Sequence, residues 1–183
     1  MNIKVNFKKQ ALSKSNANLI LFADEKFNIS GLKKHISNSE YFYISDILKK
    51  KDTKKKIVTF DISSKKKIIL VSLKKNLTDS DAENLGAKSY VILSELKEKQ
   101  YIVNSDTIPN GLKNILGYFL HGIKLKSYKF EKYKTKKNKG EIIINVIGKN
   151  IPNNKDQLKF SSIERGTFYT RDLVSEPGNV LHP

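Results

Sequence analysis

The sequence predicts an α/β sandwich, in which a mixed β-sheet carries helices on both faces and a long last helix follows. Short apolar runs typical of strands alternate with longer amphipathic segments typical of helices, and this alternation characterises α/β folds. Residues 18–23 and 67–73 are apolar almost throughout, which indicates inner strands that are covered on both faces. A chain of 183 residues is long enough to enclose such a core within one domain.

The first half of the chain contains most of the predicted strands. Ile3, Val5 and Phe7 alternate with polar residues, which predicts a half-buried first strand. Residues 24–41 are polar and predict a loop or a short helix, whereas residues 41–48 predict either a short strand or a short helix. The other strand candidates lie at 57–62, 67–73, 101–103 and 140–148.

Helix signals separate the later strands. Thr78 followed by Asp81 approximates a capping box and predicts a helix that runs to about Gln100. Pro109 suits the first turn of a second helix, whose apolar stripe extends over residues 112–123.

A third helix completes the predicted order of elements. Asn153 or Asn154 can cap its first turn, because an asparagine side chain accepts hydrogen bonds from the free backbone amides there. The helix continues to about Ser175, and Pro177 with Gly178 ends it.

The composition excludes several classes of protein. The chain has no cysteine, so disulfides, thiolate zinc sites and cysteine nucleophiles are excluded. Its longest apolar runs are far shorter than the roughly 20 residues that a membrane-spanning helix needs, so no membrane partner is expected. The alternating start of the chain also lacks the apolar core of a signal peptide, and we expect a cytoplasmic protein.

Catalytic motifs do not occur. The sequence contains no nucleophile elbow, P-loop, Gly-x-Gly-x-x-Gly turn or His-Glu-x-x-His helix. The acidic residues are scattered except for Asp79, Asp81 and Glu83, which we interpret as a helix cap and not as a metal cluster. His121 and His35 have no partner at ligand spacing, so we interpret both as structural or surface histidines.

The positive charge is concentrated in lysine. The formal charge is +17, and the chain has only two arginines, Arg165 and Arg171. A first cluster comprises Lys49, Lys50, Lys51, Lys54, Lys55 and Lys56. A second cluster, interleaved with three aromatic residues, comprises Lys124, Lys126, Lys129, Lys132, Lys134, Lys136, Lys137 and Lys139.

Two interpretations of these clusters remain open. Lysines that bind phosphates, beside the aromatic rings of Tyr128, Phe130 and Tyr133 that stack on bases, would form the polyanion-binding face of a nucleic-acid-binding module. Alternatively, the lysines reflect a composition rich in lysine, isoleucine and asparagine, which AT-rich coding sequence favours. The scarcity of arginine favours the second interpretation, because arginine is preferred for bidentate contacts with phosphate and guanine.

Residues 170–183, with the sequence TRDLVSEPGNVLHP, provide a more specific signal. They closely resemble a segment of the cytosol (leucyl) aminopeptidase family, in which an Arg-Asp-Leu-Val-Asn helix end precedes a Pro-x-Asn-x-x-x-Pro turn. Ser175 stands where asparagine is usual in that family, and Gly178 stands where alanine or serine is usual. Neither is a catalytic position of the family, so these departures put little of the resemblance in doubt.

The rest of the chain resembles the family more loosely. The order of elements is similar to that of the family's N-terminal domain, a macro-domain-like α/β sandwich. Residues 126–134 are similar to the basic segment that follows the last core helix of that domain. Ser72 and Lys74 replace glycines that are usual in the family. Because macro-like domains bind ADP-ribose through glycine-rich loops, this departure argues against a nucleotide site.

The resemblance implies a domain organisation and a chemistry. An N-terminal macro-like domain would span residues 1–152, a linking helix 153–176, and the first turn of a truncated catalytic domain 177–183. In the family, two divalent metal ions (zinc, manganese or magnesium) in the catalytic domain activate water and polarise the scissile carbonyl. The ligand signature of that site does not occur here, so no catalytic, metal-binding or cofactor-binding residue is assigned to this chain.

The resemblance also implies partners. The parent protein would act on peptides and assemble as a homohexamer, while this chain alone would be inactive and would contribute to assembly and to access to the active site. We expect residues 177–183 to be frayed. On the linking helix, we expect the joint between domains to be formed by Phe160, Ile163, Thr167, Thr170 and Val174.

Three hypotheses about function therefore stand. The first is the N-terminal, non-catalytic domain of a metallo-aminopeptidase. The second is a basic nucleic-acid-binding module, and the third is a macro-like nucleotide binder.

Overall fold

The computed structural model describes residues 2–8, 17–50, 55–112, 114–135 and 140–180. Their helices and strands follow the order β1 (Asn2–Phe7), β2 (Asn18–Asp24), α1 (Asn38–Lys50), β3 (Ile57–Asp61), β4 (Lys67–Leu73), α2 (Asp79–Glu95), β5 (Gln100–Asn104), α3 (Ile115–Ser127), β6 (Glu141–Ile147) and α4 (Asn154–Ser175). Single 3-10 turns lie at Ser30–Lys34 and Ser105–Thr107.

The six strands form one mixed sheet in the order β1-β6-β5-β2-β4-β3. Only β3 is antiparallel to its neighbour, and all other pairs are parallel. The connections through α2 and α3 lead toward the β1 edge, whereas the connection through α1 leads toward the β3 edge. Since crossovers between parallel strands are right-handed, α2 and α3 lie together on one face of the sheet. α1 leads to the antiparallel strand β3, to which this rule does not apply, and it packs against Leu21 and Ala23 of β2 on the other face. The predicted sandwich with a mixed sheet is confirmed.

The inner strands β2 and β4 divide their side chains between two cores. Ile20 and Phe22 of β2 contact the core under α2 and α3, and the Phe22 ring meets Phe119 edge-on at 5.3 Å. Leu21 and Ala23 of the same strand contact a second core under α1. An apolar run without alternation is therefore explained by burial on both faces.

α2 and α3 approach each other closely at two glycines. A Cβ atom on Gly86 of α2 would overlap the carbonyl oxygen of Phe119, and one on Gly122 of α3 would overlap the carbonyl oxygen of Glu83. Neither neighbour is a flexible side chain, so the backbones themselves would have to separate. Glycine is required at both positions by packing and not by backbone conformation.

Residues 41–48, for which the sequence allowed a short strand or a short helix, are helical and belong to α1. The Ser37 hydroxyl accepts a hydrogen bond from the Glu40 N–H at 3.3 Å, and Glu40 Oε2 accepts one from the Ser37 N–H at 2.9 Å. This reciprocal pair is a capping box, which starts a helix at this point. Thr78 and Asp81 form the predicted capping box of α2, and Asn153 caps α4 as predicted.

The predicted start of the helix at Pro109 is wrong. α3 begins at Ile115, after a turn in which the Leu112 N–H donates to the Pro109 carbonyl at 3.3 Å. Gly111 in that turn has a φ of +92°, a left-handed conformation that interrupts a helix. α2 also ends at Glu95, earlier than predicted, because Leu96 is extended.

Glu40 has a second role, since it joins α1 to the β3–β4 hairpin. Lys66 Nζ lies 2.7 Å from Glu40 Oε1, and the two side chains are only 14% and 10% exposed. Burial disfavours the charged form of Glu40, but hydrogen bonds from Lys66 and from the Ser37 amide lower its pKa overall.

Substitution of Gly86 by alanine tests the helix contact. We expect Gly86→Ala to lower the free energy of unfolding by about 1–3 kcal/mol, because the added methyl group forces the two backbones apart. Gly166→Ala on α4 is the matched control, since a Cβ there meets nothing within 4 Å. It should raise the stability by about 0.5–1 kcal/mol. Urea denaturation measures both, and equal effects would contradict the close approach.

Substitution of Glu40 tests the hairpin contact through its pH dependence. We expect Glu40→Gln to lower the free energy of unfolding by about 1–3 kcal/mol at pH 7. Because folding lowers the pKa of Glu40, its contribution is complete above the unfolded-state pKa and is lost as the pH falls through the folded-state value. Unfolding curves of the two proteins should therefore converge in acid. Asp46→Asn, at an exposed pair with Lys49, should change little at any pH; curves that stay parallel would contradict the role of Glu40.

Candidate functional site at the joint of the last two helices

The candidate site lies where α4 packs on α3. Glu164 is the only buried residue of α4. Its Oε1 lies 3.0 Å from His121 Nδ1, and its Oε2 lies 3.0 Å from Lys124 Nζ, both on α3. One carboxylate therefore has a donor on each oxygen, and it joins residues that are 43 positions apart in sequence. The interpretation of His121 as structural is refined, because this histidine is buried and has a carboxylate partner.

Phe160 lies one turn before Glu164 and occupies a recess in α3. Its ring is 5.0 Å from the Tyr118 ring and 5.1 Å from the His121 ring. A Cβ on Gly117 would collide with the edge of the Phe160 ring, so the absence of a side chain there creates the recess. The aromatic contact and the buried carboxylate together define how α4 is oriented on α3.

The segment 128–134 holds the second half of α4. Tyr128 Oη donates to Asp172 Oδ1 at 2.8 Å, and the Tyr128 ring lies 5.4 Å from Phe168. Arg171 Nη1 donates to the carbonyl oxygen of Leu125 at 2.8 Å. This segment therefore runs along α4 and is bonded to it at successive turns.

Glu176, the residue that follows α4, attaches the end of this helix to segment 128–134. Lys132 and Tyr133 both donate to Glu176, and these hydrogen bonds lower the pKa of the Glu176 carboxyl. The aromatic rings that the nucleic-acid hypothesis assigned to bases thus have partners within the domain. Phe130, the third of them, packs on Tyr133 with the ring centres 5.8 Å apart.

The lysines of the second cluster have different surroundings. Lys124 and Lys132 form ion pairs with α4, whereas Lys126, Lys129 and Lys134 are exposed. Lys136, Lys137 and Lys139 lie outside the described residues. The structure therefore gives two members of this cluster an intramolecular role, and polyanion binding by the others stays a prediction.

The first lysine cluster lies around the end of α1. Lys49 is exposed and lies 4.0 Å from Asp46, and Lys50, Lys55 and Lys56 are exposed as well. Lys51 and Lys54 lie outside the described residues. Polyanion binding by this cluster also stays a prediction.

α4 packs on its own domain through a face different from the one predicted for the joint between domains. The helix contacts α3 and segment 128–134 through Phe160, Glu164, Phe168 and Arg171. Of the predicted face, Ile163 and Val174 are 45% and 81% exposed, and only Phe160 and Thr167 are partly buried. The residues that dock α4 on its own domain include a glutamate and an arginine, and the joint between domains stays a prediction. After the helix, the Val180 N–H donates to the Pro177 carbonyl and closes a turn; residues 181–183 lie outside the described part.

Hydrogen bonds within the domain engage polar groups near the carboxyl ends of β2 and β5. Ligands of open α/β sheets bind where the direction of the connections reverses, which here is between these two strands. Thr107 Oγ1 accepts a hydrogen bond from the Phe22 N–H at 2.9 Å and donates to the Asn104 carbonyl at 2.7 Å. Nearby, Lys149 N–H donates to Asp106 at 2.7 Å. Two amides near these strand ends are therefore bonded within the domain, which argues against the nucleotide hypothesis.

The described ranges contain neither a cluster of metal donors nor a membrane-spanning helix. Within them, no group of three or more His, Cys, Asp or Glu side chains is arranged to hold a metal ion. Over the same ranges, no helix has the length and apolar character needed to span a membrane.

Comparison with curated proteins identifies relatives. No family model matches the chain. A probable cytosol aminopeptidase of Clostridium perfringens is 30% identical to it over 96% of the chain. A probable cytosol aminopeptidase of Rickettsia bellii is 26% identical over 99% of the chain. The chain spans only 38% and 39% of the length of these two relatives.

Solved structures identify the fold. A mutant of tomato leucine aminopeptidase matches 100% of the chain with a TM-score of 0.75 at 16% identity, over 40% of its own length. The bottromycin maturation enzyme BotP in complex with Mn matches 92% with a TM-score of 0.63 at 11% identity, over 34% of its length. The fold is that of the N-terminal α/β domain of leucine aminopeptidases. The chain belongs to the cytosol aminopeptidase family and corresponds to the N-terminal part of its members.

Removal of the buried Glu164 carboxylate tests the contact between α3 and α4. We expect Glu164→Ala to lower the free energy of unfolding by about 2–3 kcal/mol, because His121 stays buried without its partner. Amide hydrogen exchange along α4 should also accelerate. Arg165→Ala, an exposed neighbour on the same helix, is the control and should change neither quantity appreciably. Equal protection of α4 in both variants would contradict the central role of Glu164.

Proposed function

We propose that this chain is the N-terminal, non-catalytic domain of a two-metal aminopeptidase that removes N-terminal residues from peptides in the cytoplasm. The observation that supports this proposal is the 30% identity to the Clostridium perfringens relative across 96% of the chain. The similarity of the fold to that of tomato leucine aminopeptidase agrees with the proposal.

The proposal assigns the chemistry to the part of the relatives that this chain does not span. Two divalent ions, zinc with manganese or magnesium, would be bound there and would supply an activated water and a polarised carbonyl. No residue of this chain is assigned a step of hydrolysis, since the described residues bring no set of donors together.

Within the proposal, α4 connects the two domains. Residues 1–152 would form the macro-like domain, 153–176 the linking helix, and 177–183 the first turn of the catalytic domain. Ile163 and Val174 are apolar and exposed, as expected of a helix that contacts a second domain on its free side. The domain would influence assembly into a homohexamer and access of peptides to the active site.

A chimera tests the proposal. Residues 1–176 of this chain replace the matched region of the Clostridium perfringens relative, and hydrolysis of leucine p-nitroanilide is measured with added manganese. We expect the chimera to be active and the 183-residue chain alone to be inactive. A second chimera with Gly122→Val should be insoluble or inactive, because the substitution disrupts the contact between α2 and α3.

Two outcomes would contradict the proposal. Hydrolysis by the chain alone would contradict its non-catalytic role. A soluble, folded but inactive chimera, prepared beside an active relative, would contradict its role as the N-terminal domain of such an enzyme.

A further inference from the structure

A cavity of about 370 Å³ opens between β1, α3 and α4 at the edge of the sheet. This volume is at the lower end of the range of small-molecule sites. Its apolar walls come from all three elements: Val5, Phe7, Leu120, Leu158 and Phe160. Because β1 is the edge strand, Phe7 is 36% exposed at the rim. The cavity therefore offers a hydrocarbon-lined space that is reached from solvent.

Ionisable groups occupy one side of this cavity. His121, Lys124 and Glu164 all line it. Both oxygens of Glu164 are already engaged, one in a hydrogen bond from His121 and one in an ion pair with Lys124. An ammonium group has three N–H donors, and the contact with Glu164 uses one of those of Lys124. The Lys124 side chain is 31% exposed, so its remaining donors are accessible.

The unused N–H donors of Lys124 favour an anion over a cation. A ligand ammonium would have to displace Lys124 from Glu164, whereas a ligand carboxylate can use the free N–H donors without breaking that pair. The net charge of +17 also attracts anions to the domain. Gln157 and Ser161 line the same cavity and add neutral polar groups.

We propose that this cavity binds an apolar monocarboxylate. The carboxylate lies on the free donors of Lys124, and the hydrocarbon part contacts Phe7, Leu158 and Phe160. Two sources share this chemistry, a free medium-chain fatty acid and the C-terminus of a short apolar peptide. The site stands on the geometry of the domain and does not depend on the proposed peptidase function.

Titration of the full chain with defined probes tests the site. We expect octanoate, or N-acetyl-leucine as a model of a peptide C-terminus, to bind saturably with a Kd of about 1 mM or tighter. Acetate lacks the apolar tail, octanol lacks the charge, and octylammonium carries the opposite charge. Each should bind at least about tenfold more weakly than octanoate. The carboxylate that binds more tightly identifies the source of the ligand: octanoate indicates a fatty acid, and N-acetyl-leucine indicates a peptide C-terminus. Calorimetry and amide chemical shifts of α3 and α4 provide the readouts.

Two pairs of variants locate the site. Leu158→Trp fills the cavity and should weaken binding at least about tenfold, whereas Ile163→Trp, on the same helix but outside the cavity, should leave it unchanged. Leu158 is 65% exposed, so the larger side chain does not disturb a core. Lys124→Gln should weaken binding about tenfold or more, and Lys126→Gln, which does not line the cavity, should not.

Three results would overturn the proposal. The first is no saturable binding of either carboxylate at 10 mM, roughly ten times the expected Kd. The second is octanol or octylammonium binding as tightly as octanoate, which would remove the role of the anion. The third is unchanged affinity in the folded Leu158→Trp variant, which would place binding elsewhere on the basic surface.

Discussion

Burial of both faces of β2 and β4 is the constraint on which the rest of the structure depends. Ile20 and Phe22 are buried on one face of the sheet, while Leu21 and Ala23 are buried on the other. Helices must therefore lie on both faces. Right-handed crossovers place α2 and α3 together on one face, and α1 covers the other. The tight contact at Gly86 and Gly122 then brings α2 and α3 together, and the outer side of α3 becomes the surface that receives α4.

α4 is attached differently from the core helices. Its only buried residue is a glutamate, and its contacts are dominated by an ion pair, hydrogen bonds and ring contacts. Such contacts depend on the positions of individual donors more than apolar burial does, so they define the direction of the helix. A helix held along one side by polar contacts, with apolar side chains exposed on another, suits a connection between two domains. The lysines at 124 and 132 belong to this attachment, which reduces the number free to bind polyanions.

Local signals predicted most of the elements, and the errors have local causes. The capping residues Thr78 and Asn153 were correct because a cap needs only a side chain and the next turn of backbone. The Ser37 and Glu40 box is equally local, and it would have decided residues 41–48 in favour of a helix. The predicted helix start at Pro109 was wrong because a proline suits both a turn and the first turn of a helix. Gly111, two residues later, favours the turn.

The sequence by itself determined the fold class, the order of the strands along the chain, the caps and the family, because periodicity, capping and a short motif are properties of neighbouring residues. Only the tertiary structure decided that His121 and Lys124 meet Glu164, that Lys66 meets Glu40, and that α4 docks through a face different from its most apolar one. The physical reason is that each of these contacts joins residues 26 to 46 positions apart, whose approach depends on how whole helices and strands pack. The cavity beside β1 is likewise a product of three elements, and no pattern within any one of them indicates it.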